Sequence, residues 1–345
     1  MLPALFRINR QVRNDFLLGL FCLPALIVIG AVAFLTGHVQ EGGIAASGAL
    51  PLAFGANKRF EGSSFRLLTF TAVGLAVSAW AGSLSGHDFP VYVCLTMIYA
   101  GIYSLVTGTD NGLSWSILQS AIAFMMAGHF PGNSEDALIR GGLTGLGALV
   151  QLFFLVFFAG NTVLCKRKVL PSDEVGSLSD LHRLHLRWSV LFAAPAVAAA
   201  LVIAEHAGFF SGYWAGMTLL LCMRSHYRES LFRVPARIIG TVGGVCLASG
   251  LSELNQSHVF TFTAFIMTGY LAVSYSFSLG SRSYMTFTFL VSLMVIFLMQ
   301  SQQQDQAGSR IFATLAGGLC ALAALFCSYM TAKVYLHWRR KISVT

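Results

Sequence analysis

The sequence predicts an all-α integral membrane protein of about 12 transmembrane segments, laid out as two pseudo-symmetric six-helix repeats whose second helices are short or broken. Three observations point there. Of 345 residues, 56% are hydrophobic and only 10% are charged, where a soluble domain carries about a quarter charged residues; the mean hydropathy is +0.70. The apolar residues fall into runs separated by polar breaks, in two matching series. The basic residues gather in alternate breaks.

The first series places segments near 16–36, 43–56, 65–84, 90–107, 113–129 and 138–161. The opening run follows Arg7, Arg10 and Arg13 and contains Ala31-x-Ala33, the pattern of a signal-peptidase site. It is long for the apolar core of a leader and recurs in the second series, so it reads as a retained span. The second run is short and carries Gly42, Gly43, Gly48 and Pro51, with Lys58, Arg59 and Arg66 behind it. Asp88 separates the third and fourth runs, Asp110 lies in the turn between the fourth and fifth, and Glu135 and Asp136 precede the sixth. A polar linker, 166–187, then divides the repeat 1–165 from the repeat 188–345. The second series places segments near 188–205, 210–223, 233–251, 259–278, 284–300 and 310–334. Its second run ends at Met223, before Arg224 and Arg228, and is as short as its counterpart.

With the N-terminus inside, all but Arg140 and Arg310 of the 22 Lys and Arg fall on one side. That is the positive-inside asymmetry, and it makes both termini cytoplasmic. The net charge of +8 is accounted for by this placement, so nucleic acid is not expected as a partner. The halves also echo each other: FCLPA around Pro24 mirrors FAAPA around Pro195, and Arg66 aligns with Arg237. Arg140-x-x-x-Thr144-x-x-Gly147 mirrors Arg310-x-x-x-Thr314-x-x-Gly317, with a third copy at Arg237, Thr241 and Gly244. Six spans per half return the chain to its starting side, so the expected axis runs along the membrane normal.

A pair of short, Gly/Pro-interrupted segments at matching places in two halves points to a transport site. Twelve helical residues cover about 18 Å of an apolar core about 30 Å thick. The alternative is an ordinary span ending within protein or a thinned bilayer. Thr and Gly in the repeated pattern suit close helix packing. Arg140, Arg237 and Arg310 each fall at an expected helix N-terminus, where the macrodipole already disfavours a cation. Each therefore calls for an anion: Glu229, lipid phosphate or an anionic ligand for Arg233 and Arg237, and Asp305, Glu135 or Asp136 for the other two. Asp110 and Arg282 occupy related turns in the two halves. They read as a cross-axis pair, as a proton-coupling acid and a carboxylate-recognising base, or as solvated loop charges. Tyr284 and Phe287 follow Arg282 and offer faces to an aromatic ligand; Tyr213 and Trp214 otherwise read as an interfacial belt.

The seven cysteines are scattered with no Cys-x-x-Cys, and among the nine histidines only His182 and His185 approach ligand spacing. No metal or other cofactor is expected. Phosphate-binding loops, nucleophile triads and metalloprotease motifs are missing, so the chain does not read as an enzyme or an ATP-driven pump.

Gly212, Tyr213, Trp214 and Thr218, followed by a basic stretch, by Arg237, Gly240, Thr241 and Gly244, and later by Arg282, Ser283 and Tyr284, form one constellation. On it the chain resembles the FUSC (fusaric acid resistance) family, although Ser283 stands where Asn is usual. Its relatives include aromatic carboxylic acid exporters and, more distantly, plant aluminium-activated malate transporters. The second half carries the resemblance, and the first half shares it through the repeat. It implies secondary efflux of small organic, chiefly aromatic, carboxylates across the bacterial inner membrane, driven by the proton gradient. On that basis Arg282, Tyr284, Tyr213, Trp214, Thr218 and Arg237 are the expected substrate contacts, and Asp110 is the proton-coupling candidate. An anion channel of the same architecture and a non-transport assembly partner are the alternatives. The expected partners are the anion, membrane lipids and, in a homo-oligomer, further copies of the chain.

Overall fold

The computed structural model describes residues 10–107, 110–166, 180–224, 227–254, 257–277, 283–301 and 307–342. Among them the regular elements are α-helices: α1 (Arg10–Thr36), α2 (Val39–Phe54), α3 (Ser64–Ser85), α4 (Phe89–Val106), α5 (Asn111–Gly128) and α6 (Ser134–Lys166). The second half adds α7 (Asp180–His206), α8 (Tyr213–Cys222), α9 (Tyr227–Leu254), α10 (His258–Phe277), α11 (Ser283–Ser301) and α12 (Ala307–Ile342). Helices satisfy their own backbone, which lipid requires.

Polar side chains next to the apolar runs start the helices. Ser63 accepts from the Arg66 amide at 3.3 Å, Asp88 from the Val91 amide at 3.1 Å, and Asp110 from the Leu113 amide at 2.6 Å. Asn133 accepts from the Glu135 and Asp136 amides, both at 2.9 Å. Each satisfies first-turn donors that no carbonyl can reach.

Seven helices (α1, α3, α4, α6, α9, α10 and α12) are long and apolar enough to cross a membrane among the described residues, fewer than the expected 12 segments. The chain is a multi-pass membrane protein. The shortfall is physical. Helix α8 has 10 residues and α2 has 16, about 15 and 24 Å of helix against a core of about 30 Å. The apolar parts of α7 and α11, Leu191–His206 and Tyr284–Met299, are also brief, and α5 is broken up by Ser114, Ser116, Gln119 and Ser120.

Two boundaries differ from the expectation. Helix α7 begins at Asp180, inside the polar stretch read as linker. Helix α9 begins at Tyr227, runs through Pro235, and carries Arg237 in its third turn. A macrodipole acts within the first turn, so that argument does not apply to Arg237.

Small residues let the backbones touch. In α6, Gly147 faces the carbonyl of Ala45 and α2's Gly48 faces that of Thr144; in α12, Gly317 faces the carbonyl of Ala215 in α8. Gly82 meets Phe124 and Gly244 meets Phe289 in the same way, joining α3 to α5 and α9 to α11. Packing is thus the work of Gly147, Gly244 and Gly317 in the repeated pattern. Helix α1 packs on α10 and α7 on α4; α2 packs on α6 and α8 on α12; α3 packs on α5 and α9 on α11.

Candidate functional site

Helix α8 ends because Met223 adopts extended backbone, with ψ of 125°. The groups freed by the break are met within the protein. The Tyr103 hydroxyl donates to the Met223 carbonyl at 2.9 Å, and the Arg224 amide donates to Ser230 Oγ at 2.9 Å. All of α8 except Leu221 is buried. A helix too short for the bilayer therefore has its ends and flanks covered by protein, as lipid-depth backbone requires.

Beside α8 lies a cavity of about 300 Å³, within the range of small-molecule sites. The short helices contribute Ser47, Pro51 and Phe54 from α2, and Tyr213, Trp214 and Met217 from α8. Helix α5 adds Gln119 and Met126, and α11 adds Phe287 and Met294. Arg140 and Thr144 enter from α6 and Arg237 from α9. The lining is apolar with a few polar points, and no Asp or Glu lies among the described lining residues.

Arg237 is 3% exposed, and its Nε has no partner among the described residues. Behind the cavity wall, Arg310 is 1% exposed, with its guanidinium carbon 3.8 Å from the centre of the Trp214 ring. Its Nη2 donates to Ser292 Oγ at 3.4 Å, while Nε and Nη1 are unpartnered among the described residues. The two guanidiniums lie within electrostatic reach of each other. Arg310 thereby seats the indole, a desolvated cation–π contact of about 2 kcal/mol. Trp214 in turn lies 5.4 Å from Tyr213, centre to centre, and Tyr213 lies 4.9 Å from His129. Arg140 stands over Phe130 at 5.3 Å. Buried cations are ordinarily paired; here Asp136 lies within electrostatic reach of Arg140, while no Asp or Glu joins Arg237 in the described lining.

The expected substrate contacts divide. Tyr213, Trp214 and Arg237 line the cavity. Thr218 is fully buried in α8 but lies outside the lining, its hydroxyl unpartnered among the described residues. Tyr284 is also outside the lining; its ring lies 4.4 Å beneath the Arg233 guanidinium and 6.3 Å from Phe287. Arg282 and Asp305 fall outside the described residues. Glu229 pairs with Arg233, at 2.7 Å from Nη2 and 2.9 Å from Nε, so its closest partner is not Arg237. Gln119 and Ser47 went unnoticed in the sequence, although a Gln within the apolar run SILQSAIAF was a readable signal.

Asp110 caps α5 and is not a lining residue. Asp110→Ala should cost about 1 kcal/mol of stability through the lost cap, read as a lower Tm. Asp110→Ser keeps a capping oxygen and should hold the parent's Tm.

Residues 198–324 match the family model described as fusaric acid resistance protein-like. No curated protein and no solved structure matches the chain. The matched stretch contains Tyr213, Trp214, Arg237 and Arg310. The second half of the chain is therefore similar to the fusaric acid resistance protein-like (FUSC) family over residues 198–324, and with its apolar helices the chain reads as a membrane transport-related protein.

Proposed function

We propose that the chain exports small organic carboxylates, aromatic ones above all, from the cytoplasm across the bacterial inner membrane as a proton-driven secondary transporter with both termini inside. One observation carries the reading: a buried, incompletely paired Arg237 opens into a cavity walled by Trp214 and Phe287, with a second guanidinium nearby and no lining acid. A guanidinium fork matches a carboxylate in two parallel hydrogen bonds, and the two aromatic side chains offer faces to a ring.

The repeats 1–165 and 188–345 supply the moving parts. Their packing pairs correspond when each helix is shifted by six places, and the cavity walls α2 and α5 correspond to α8 and α11. Rocking of one half against the other about a site between them would expose Arg237 to each side in turn.

Proteoliposomes loaded with benzoate test the proposal. Efflux should saturate with benzoate concentration, exceed that of acetate, and stop when the proton gradient is collapsed. An ohmic anion current that ignores the gradient would make the cavity a channel instead.

A further inference from the structure

A second group of cations gathers around Tyr284, a residue outside the cavity lining. Tyr284 is 3% exposed and its hydroxyl is unpartnered among the described residues. Arg224, from the extended segment after α8, and Arg233 and Arg237, from α9, all lie within electrostatic reach of that side chain. Lys58, from the turn after α2, lies within reach of Arg224 and Arg233. A single carboxylate, Glu229, answers them among these contacts, and it is held by Arg233. Arg224 Nε and Arg233 Nη1 remain buried without a partner among the described residues.

These donors belong to a fixed frame. The Tyr103 and Ser230 hydrogen bonds pin the segment that bears Arg224, and the Arg233 guanidinium is stacked on Tyr284. Burial and the two neighbouring guanidiniums push the Lys58 ammonium down to about 8, as befits a cation short of counter-charge. Buried donors that lack acceptors are costly, and a carboxylate brings about four lone pairs. Phosphate on a lipid headgroup has similar chemistry. The contact of Tyr284 with Phe287, which lines the cavity, connects this cluster to the transport route.

We propose that Lys58, Arg224, Arg233 and Tyr284 form a second anion site at the cytoplasmic mouth, which captures the substrate carboxylate before Arg237 draws it into the cavity. This rests on the carboxylate-export reading, and it assigns Tyr284, one of the expected contacts, to a second station with Lys58, Arg224 and Arg233. Like charges at the mouth raise the local anion concentration and speed capture.

The test is equilibrium binding of radiolabelled benzoate to the full chain in phosphatidylcholine nanodiscs, repeated with phosphatidylglycerol added. Two benzoates per chain are expected in both lipids, and one in Arg224→Gln, in Lys58→Gln and in Arg237→Gln. The double variant Arg224→Gln/Arg237→Gln should bind none. Arg66→Gln, which alters an exposed ion pair with Glu61, should still bind two. Unchanged elution and Tm establish that each variant is folded, and Lys58→Gln serves if Arg224→Gln is not. One benzoate or none in the parent, or two in both mouth variants, overturns the site. So does a fall from two to one on adding phosphatidylglycerol, which would give the cluster to a lipid headgroup. Two-site binding without efflux in proteoliposomes sinks the export reading alone, and efflux with one-site binding sinks the mouth site alone.

Discussion

Arg237→Gln should abolish saturable benzoate efflux while the protein still inserts and purifies as a folded species. Removing one partner of a buried, hydrogen-bonded charge pair costs about 2–5 kcal/mol, so apparent affinity should fall about 30-fold or more at about 1.4 kcal/mol per decade. Arg237→Lys keeps the charge but loses the planar fork, and should recover only part of the loss. The unliganded protein should respond in the opposite sense. Arg237 is buried with an unpartnered Nε, and desolvating an unpaired cation is unfavourable. The Tm of Arg237→Gln without ligand should therefore equal or exceed that of the parent. Affinity at the parent's level in Arg237→Gln would remove the residue from the site. Arg310→Met offers a contrast. It takes away the seat of Trp214 without touching the cavity lining, so it should weaken aromatic substrates more than acetate.

Gly147→Ala and Gly317→Ala should each prevent accumulation of folded protein. An added Cβ would strike the Ala45 carbonyl in the first case and the Ala215 carbonyl in the second. Both obstacles are backbone, which cannot swing aside as a side-chain tip can. Overpacking typically costs about 1–3 kcal/mol, and here relief requires prising α2 from α6 or α8 from α12, the short helices that wall the cavity. Gly101 and Gly142 are the controls, since a Cβ at either meets nothing within 4 Å. Alanine there should leave Tm unchanged or raise it, because glycine inside a helix is about 1 kcal/mol less favourable than alanine. Equal Tm for Gly147→Ala and Gly142→Ala would show that α2 and α6 do not need their close approach.

The features legible in the linear chain are those set by neighbouring residues. Hydropathy marked the helical membrane class, Gly42, Gly43, Gly48 and Pro51 marked a short α2, and the basic break after Met223 marked the end of α8. Tyr213, Trp214 and Arg237 were found through their motif, and they do line one cavity. Asp110 was read as a cross-axis partner, a coupling acid or a solvated loop charge; that it accepts from the Leu113 amide at 2.6 Å and so caps α5 is a local fact that a charge pattern does not express. The place of Arg237 misled because α9 begins before Pro235 rather than near it.

Residue order along the chain thus dictated where helices form, how long they are and which glycines have no side chain to spare. It carried no record of which distant groups would meet. Arg310 lies over Trp214 and Tyr103 holds the Met223 carbonyl, each joining separate helices or loops, and Lys58 comes within electrostatic reach of Arg224 and Arg233. Such meetings follow from how the helices pack, through contacts spread over many small residues. Hydropathy and capping act over a few residues, whereas the convergence of scarce cations on one cavity is a property of the assembled bundle.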